Sequence, residues 1–318
     1  MTSVSPRPPH NAKAGVSLKY QRLISLILLL AQGGITVTGS IVRVTGSGLG
    51  CVTWPNCHPG SLVPVPGTAP LIHQAIEFGN RLLTFVVAGI AIAAVMAMHM
   101  ANRRPELKTY AWLSLAGVVV QALIGAVSVK LNLQWWAVAL HFLPSMLLVW
   151  IAALLWTRIP EPDDGVRTEQ FPAFIRYIAA VAAAALAIVL ITGTMVTGSG
   201  VHSGDAVAGM QGRLEMDTES LAIAHAICMY VYVALTLLVV VLLYRTKAPK
   251  SALRAGLALL AFVAIQWAIG VFQFYMGVPR WTIPFHIGMS SVVTAFTAFF
   301  YAQGIIRVRR GTSPSNLG

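Results

Sequence analysis

Apolar residues in this chain fall in long unbroken runs. They show neither the two-residue alternation of a half-buried strand nor the narrow stripe of a surface helix. A helix needs roughly 20 apolar residues to cross the hydrocarbon core of a bilayer. Eight runs reach that length, at approximately residues 23–45, 76–99, 109–130, 135–157, 173–197, 219–243, 252–275 and 282–304. They predict an all-α integral membrane protein with eight transmembrane helices. The first run follows the basic residues Arg7, Lys13, Lys19 and Arg22, as a signal peptide would. No small-residue cleavage site follows it and seven more spans do, so it is expected to stay as a helix. The polar, proline-bounded stretch from Pro160 to Pro172 reads as a linker. The expected layout is a tail over 1–22, a four-helix bundle over 23–159, a linker over 160–172, a second four-helix bundle over 173–304 and a tail over 305–318.

Composition narrows the class. The 318 residues are 57% hydrophobic and only 10% charged, whereas soluble domains are about a quarter charged. An ordinary cytosolic enzyme, a disordered tail and a fibrous protein are excluded. Lys and Arg number 22 against 10 Asp and Glu, a net charge of +12. In a membrane protein such an excess marks cytoplasmic loops, with no nucleic-acid partner implied. One set of connections carries Arg103, Arg104, Lys108, Arg158, Arg167, Arg176, Arg245, Lys247, Lys250, Arg254, Arg307, Arg309 and Arg310. The opposite set has only Arg43, Lys130, Arg213 and Arg280 near its helix ends. The positive-inside rule therefore predicts two cytoplasmic termini, with even-numbered helices entering from the outer face of a plasma membrane.

The halves resemble each other. Gln121-Ala-Leu-Ile-Gly125 recurs as Gln266-Trp-Ala-Ile-Gly270, an offset of 145. Trp136 maps to Trp281, His141 to His286 and Asn80 to His225 at the same offset. Thr45-Gly-Ser-Gly48 recurs as Thr197-Gly-Ser-Gly200, an offset of 152. Four helices per half give both halves one topology, so a parallel repeat about an axis normal to the membrane is expected. The fold class is then two pseudo-symmetric four-helix bundles.

His141, His225 and His286 each lie a few residues inside an even-numbered helix, at one depth near the outer face. An imidazole in a span is costly and points to function. Four-helix bundles build cofactor sites from facing helices, and neutral imidazole is a good haem-iron ligand. His225 and His286 could ligate one iron from opposite faces. The N-terminal bundle offers His141 but has Asn80 in place of its twin's histidine, and an amide is a poor iron ligand. His99 lies at the wrong depth. His10 falls in the tail, His58 and His202 in solvated outer loops, and His73 in a loop or at a helix end.

Apart from Glu219 at the first position of the sixth run, Glu77 is the only carboxylate inside a predicted span, at i, i+3 from Asn80 and i, i+4 from Arg81. It is either half of a Glu77–Arg81 ion pair or a proton-handling group beside a cofactor. The preceding outer loop is Thr45-Gly-Ser-Gly-Leu-Gly-Cys51-Val-Thr-Trp-Pro-Asn-Cys57. Cys51 and Cys57 form either a structural disulfide or a redox-active pair. Arg43 and Arg81 are outer-end cations suited to haem propionates. Cys228 reads as packing.

The run Gly39-Ser-Ile-Val-Arg43-Val-Thr-Gly-Ser-Gly-Leu-Gly-Cys51, then Trp54-Pro55, Cys57 and Ile76-Glu77-Phe-Gly-Asn-Arg81, resembles the haem A synthase family. With the repeat histidines, the resemblance covers residues 20 to 305. It implies a membrane oxidoreductase that oxidises the C8 methyl group of haem O to a formyl group, giving haem A for cytochrome c oxidase. It implies haem b on His225 and His286, haem O at His141 with Asn80, Arg43 and Arg81 as contacts, a catalytic Glu77, and Cys51 and Cys57 as the family's loop pair. A haem O synthase would be the upstream partner, with an unidentified electron donor and a homo-oligomer possible. One departure is Asn80, where the family carries histidine; His141 is then expected as the sole protein ligand of the substrate haem. The other is the absence of a second cysteine pair between helices 5 and 6. The competing reading is a haem b electron-transfer subunit linked to quinol.

Overall fold

A computed structural model of the chain describes residues 16–205 and 209–309. His10, Arg7, Lys13, Arg310 and most of both expected tails lie outside the described residues. Among the described residues, eight helices are long and apolar enough to cross a membrane. They are α1 (Leu18–Val44), α2 (Leu71–Met100), α3 (Pro105–Lys130), α4 (Trp135–Arg158), α5 (Ala173–Ser199), α6 (Thr218–Arg245), α7 (Lys250–Tyr275) and α8 (Thr282–Ala302). The protein is a multi-pass membrane protein. Pro105 opens α3 at a position where a missing N–H costs nothing. The Asp217 side chain caps α6 by accepting from the Ser220 N–H at 2.8 Å.

Neighbour contacts run α1–α2–α3–α4–α1 in one ring and α5–α6–α7–α8–α5 in the other. Helices α2 and α4 thus stand diagonally opposed, as do α6 and α8. Between the rings, α8 packs on α1 and α4, and α4 packs on α5. Each ring has its own apolar core. The first gathers Leu28, Ala91, Ala94, Met98, Leu107, Ala111, Ala152 and Leu155. The second gathers Ile175, Leu186, Tyr232, Val239, Leu243, Leu259, Val263 and Phe300. Both cores lie toward the end of the bundle that carries the 159–172 connection, here the linker end. The histidine-bearing turns lie toward the other end, where a disulfide joins Cys51 to Cys57, here the disulfide end.

Seven of the spans are longer than the apolar runs, and α8 is two residues shorter. α1 starts at Leu18 and α2 at Leu71, each five residues before its expected boundary. Apolar counting misses a polar first turn whose side chains are satisfied by a neighbouring loop, as those of His73 and Gln74 are. The linker and the C-terminal tail also hold structure. β1 (Val166–Glu169) pairs antiparallel with β2 (Ile305–Val308), Val166 opposite Val308. Four-residue strands are too short to read by periodicity. Beside them, Arg103 and Arg104 bind Asp163 at 2.8 and 3.2 Å, and Arg104 binds Glu161 at 3.0 Å. Arg158 binds Glu161 at 2.6 Å and donates to the Ile305 carbonyl.

Candidate active site

At the disulfide end of the second ring, His225 and His286 stand on the diagonally opposed helices α6 and α8. The Thr192 hydroxyl of α5 donates to the Ile188 and Val189 carbonyls, each at 3.0 Å. Its oxygen therefore accepts from His225 Nδ1–H at 3.1 Å. With the hydroxyl proton on a helix carbonyl, Nδ1 is the donor and the Nε2 lone pair is left for a ligand. The Gln266 amide of α7 donates to His286 Nε2 at 3.1 Å and to the His286 carbonyl at 3.2 Å. In the first ring the Gln121 amide donates to Ser145 Oγ at 2.8 Å, and Ser145 Oγ to the His141 carbonyl at 3.0 Å. The repeated glutamine thus holds the histidine turn in both rings.

Nδ1 of His141 and Nδ1 of His286 are buried without a hydrogen-bond partner, as are Oε1 of Gln121 and Oε1 of Gln266. An orphaned buried polar atom costs about 1–3 kcal/mol. Two matched sets at repeat-related positions indicate a missing partner rather than a packing flaw. Each imidazole also lies on a glycine of the adjacent helix. A Cβ at Gly125 or Gly270 would come within 3.4 Å of Cε1 of His141 or His286, and one at Gly193 within 3.2 Å of Cε1 of His225. Buried imidazoles at repeat-related positions, above rather than within the apolar cores, fit a haem, which His286 would meet through Nε2 in place of the Gln266 amide.

The fourth position differs. Asn80 of α2 takes the place of His225, and its Oδ1 accepts from the Thr38 hydroxyl at 2.7 Å. Ile41 stands where the repeat has Gly193. Both residues that form the imidazole slot in the second ring are therefore changed in the first.

Beside Asn80, Glu77 is buried and doubly held. Its Oε2 accepts from the Cys51 N–H at 2.6 Å and its Oε1 from Arg81 Nη2 at 2.5 Å. Cys51 and Cys57 are joined by a disulfide. Arg81, expected near a propionate, directs its terminal nitrogens at Glu77 and at the carbonyls of Cys51, Thr53 and Asn56. Arg43 donates to the carbonyls of Thr197 at 2.7 Å and His202 at 3.2 Å, joining α1 to the opening of the α5–α6 connection.

One loop histidine departs from expectation. His58 is buried, not solvated, and contacts the Gln74 Oε1 at 2.9 Å and the Thr68 hydroxyl at 3.0 Å. His73 lies in the first turn of α2 and contacts the Gly46 carbonyl at 2.9 Å. His202 Nε2 donates to the Val278 carbonyl at 2.9 Å. His99, at the linker end, accepts from Trp112 Nε1 at 2.9 Å. Cys228 packs against the second core. Sequence reasoning assigned no role to Thr38, Thr192 or Asp205, the last of which accepts from the Leu49 N–H at 3.1 Å. Lone hydroxyls and loop acids carry no periodic signal; the repeat did single out Gln121 and Gln266.

The model of the cytochrome oxidase assembly protein family COX15-CtaA matches residues 22–298. The chain belongs to this family. It is 31% identical over 168 residues to a heme A synthase of Exiguobacterium sibiricum, covering 52% of this chain and 53% of that protein. It is 37% identical over 130 residues to a heme A synthase of Lysinibacillus sphaericus, covering 39% and 41%. A heme A synthase of Bacillus licheniformis is 29% identical over 150 residues, covering 46% and 48%. The chain spans about half the length of the curated relatives it matches.

Proposed function

We propose that this family member is a haem A synthase, a membrane oxidoreductase that converts the C8 methyl group of haem O to a formyl group. The observation that carries the reading is the pair of repeat-related buried imidazoles, His141 and His286, each on a helix diagonally opposite the one that carries Asn80 or His225. The relatives' names supply the activity. His225 and His286 would hold a haem b, which supplies one-electron transfer when bound. His141 would hold haem O in the first bundle, residues 23–159, with Asn80 opposite it. Arg43, which spends two N–H groups on carbonyls, keeps further donors for a propionate.

The chain's own chemistry centres on Glu77. Two successive hydroxylations of the methyl give a geminal diol, which loses water to the aldehyde, and each step needs protons moved near the reacting carbon. Glu77 is the carboxylate placed to move them at Oε1 or Oε2. Thr192 and Gln266 orient the imidazoles, while the helices on either side exclude water. The disulfide end faces outward, both termini lie in the cytoplasm, and a haem O synthase supplies the apolar substrate. The shared ring order of helices supports the parallel repeat.

The test is expression in membranes with a haem O source, followed by haem extraction, chromatography and mass measurement. Haem A or a hydroxylated haem O is expected from the wild type, with Glu77→Gln reducing the yield by about 100-fold or more. Haem B alone, with haem O untouched, would instead support a quinol-linked electron-transfer cytochrome.

A further inference from the structure

The cysteine loop and Glu77 are joined more closely than either a structural disulfide or an i, i+4 ion pair requires. The loop lies along one face of α2, touching His73, Gln74, Glu77 and Arg81 in turn. A Cβ at Gly50 would sit 2.5 Å from the His73 carbonyl oxygen and 2.8 Å from the Gln74 nitrogen, so loop backbone rests directly on helix backbone. Cys51 then brackets Glu77 from both sides of its peptide unit. Its N–H donates to Glu77 Oε2, and its carbonyl accepts from Arg81 Nη2 at 2.9 Å, the same nitrogen that binds Glu77 Oε1. Arg81 Nη1 reaches across the ring to the carbonyls of Thr53 at 2.8 Å and Asn56 at 3.3 Å. The Thr53 N–H closes onto the Cys57 carbonyl at 3.3 Å. One guanidinium thus binds the catalytic carboxylate and three carbonyls of a single seven-residue ring, Cys51 to Cys57.

We propose that Arg81 is a positioning residue that clamps the closed Cys51–Cys57 ring onto α2, so that ring closure and the placement of Glu77 are thermodynamically coupled. The proposal deepens the synthase reading and rests on it only for what Glu77 does. Opening the ring breaks the Cys51–Cys57 S–S bond, with two electrons and two protons taken from a dithiol that itself becomes a disulfide. The freed loop then no longer holds its three carbonyls in one guanidinium's reach, and Glu77 loses the Cys51 N–H. Coupling is reciprocal: whatever the ring contributes to Arg81 and Glu77, they contribute to keeping the ring closed.

The experiment uses the full chain in membranes. Wild type, Arg81→Gln and Arg81→Lys are equilibrated over a series of reduced-to-oxidised dithiothreitol ratios, quenched, alkylated, and counted by mass for opened Cys51 and Cys57. The expected result is that Arg81→Gln opens at a ratio lower by about tenfold, the ordinary size of a coupling between sites, and that Arg81→Lys lies between. A ratio unchanged in Arg81→Gln overturns the proposal, and this readout needs no haem chemistry. Haem A formation is followed in parallel. In Arg81→Gln its pH profile is expected to move from that of wild type, with partial rescue by Arg81→Lys, while the absorption spectrum of the His225–His286 haem stays unchanged as the folding control. A wild type that makes no haem A but shows the tenfold shift refutes the synthase reading and leaves the clamp standing. A pH profile unmoved in Arg81→Gln overturns the positioning role.

Discussion

Asn80 is the residue at which the two rings part company. Its twin His225 meets a glycine on α5, whereas Asn80 is bonded to the Thr38 hydroxyl beside Ile41 on α1. An amide held this way offers an iron no imidazole. Asn80→His is expected to place a second imidazole opposite His141 and to convert a high-spin ferric component of the haem-loaded protein to low-spin. Electron paramagnetic resonance reads this directly, and the haem proposed for His225 and His286 would serve as an internal low-spin reference. An unchanged spectrum would show that Asn80 does not face the substrate haem. The asymmetry was legible in the sequence because one offset aligned the halves. The Thr38 partner was not, since a hydroxyl on a neighbouring helix has no fixed spacing from the residue it meets.

At the scale of elements, the loop before α2 and the connection after α4 behave alike: each is pinned by arginines to helix ends. Gly50 marks the tightest approach of the first. Gly50→Ala is expected to lift the loop from α2 and to destabilise the protein by about 1–3 kcal/mol, since a backbone contact cannot yield as a side chain does. Thermal unfolding of the detergent-solubilised protein measures it, and a midpoint equal to wild type would contradict the packing. At the linker end, partial burial alone would raise the Asp163 carboxyl. Hydrogen bonds and charge from Arg103 and Arg104 outweigh it and hold the carboxyl below the usual range. A lowered carboxyl stabilises the fold above its unfolded value of about 3.9 and loses that contribution as pH falls through the folded value. Asp163→Asn is therefore expected to lower the unfolding midpoint at pH 7, with the gap to wild type closing below about pH 4. The apolar runs located these helices to within a few residues. They could not show that the linker and tail pair as strands, because pairing depends on two short segments far apart in the chain meeting.

Across the whole molecule, stability and chemistry occupy opposite ends. Both apolar cores sit toward the linker end, and the imidazoles, glycine slots and Glu77 sit toward the disulfide end. Regions short of buried apolar contacts open first, and a ligand stabilises what it binds. Haem-depleted protein is therefore expected to exchange amide hydrogens faster in the histidine-bearing turns of α4, α6 and α8, while Ala91–Met98 and Val239–Leu243 keep their protection. Uniform loss of protection along the helices would argue against two separable ends.

The sequence by itself determined the eight spans, the recurrence of Gln121, Trp136 and His141 at one offset, and the odd Asn80. Those follow from local apolar length and from repetition, which survive without knowledge of the fold. Only the tertiary structure decided that α2 opposes α4 and α6 opposes α8, that Thr192 meets His225, and that Arg81 binds the cysteine ring and Glu77 together. Each of these depends on which side chains from distant segments share a few ångströms, and such proximity is set by packing rather than by spacing along the chain.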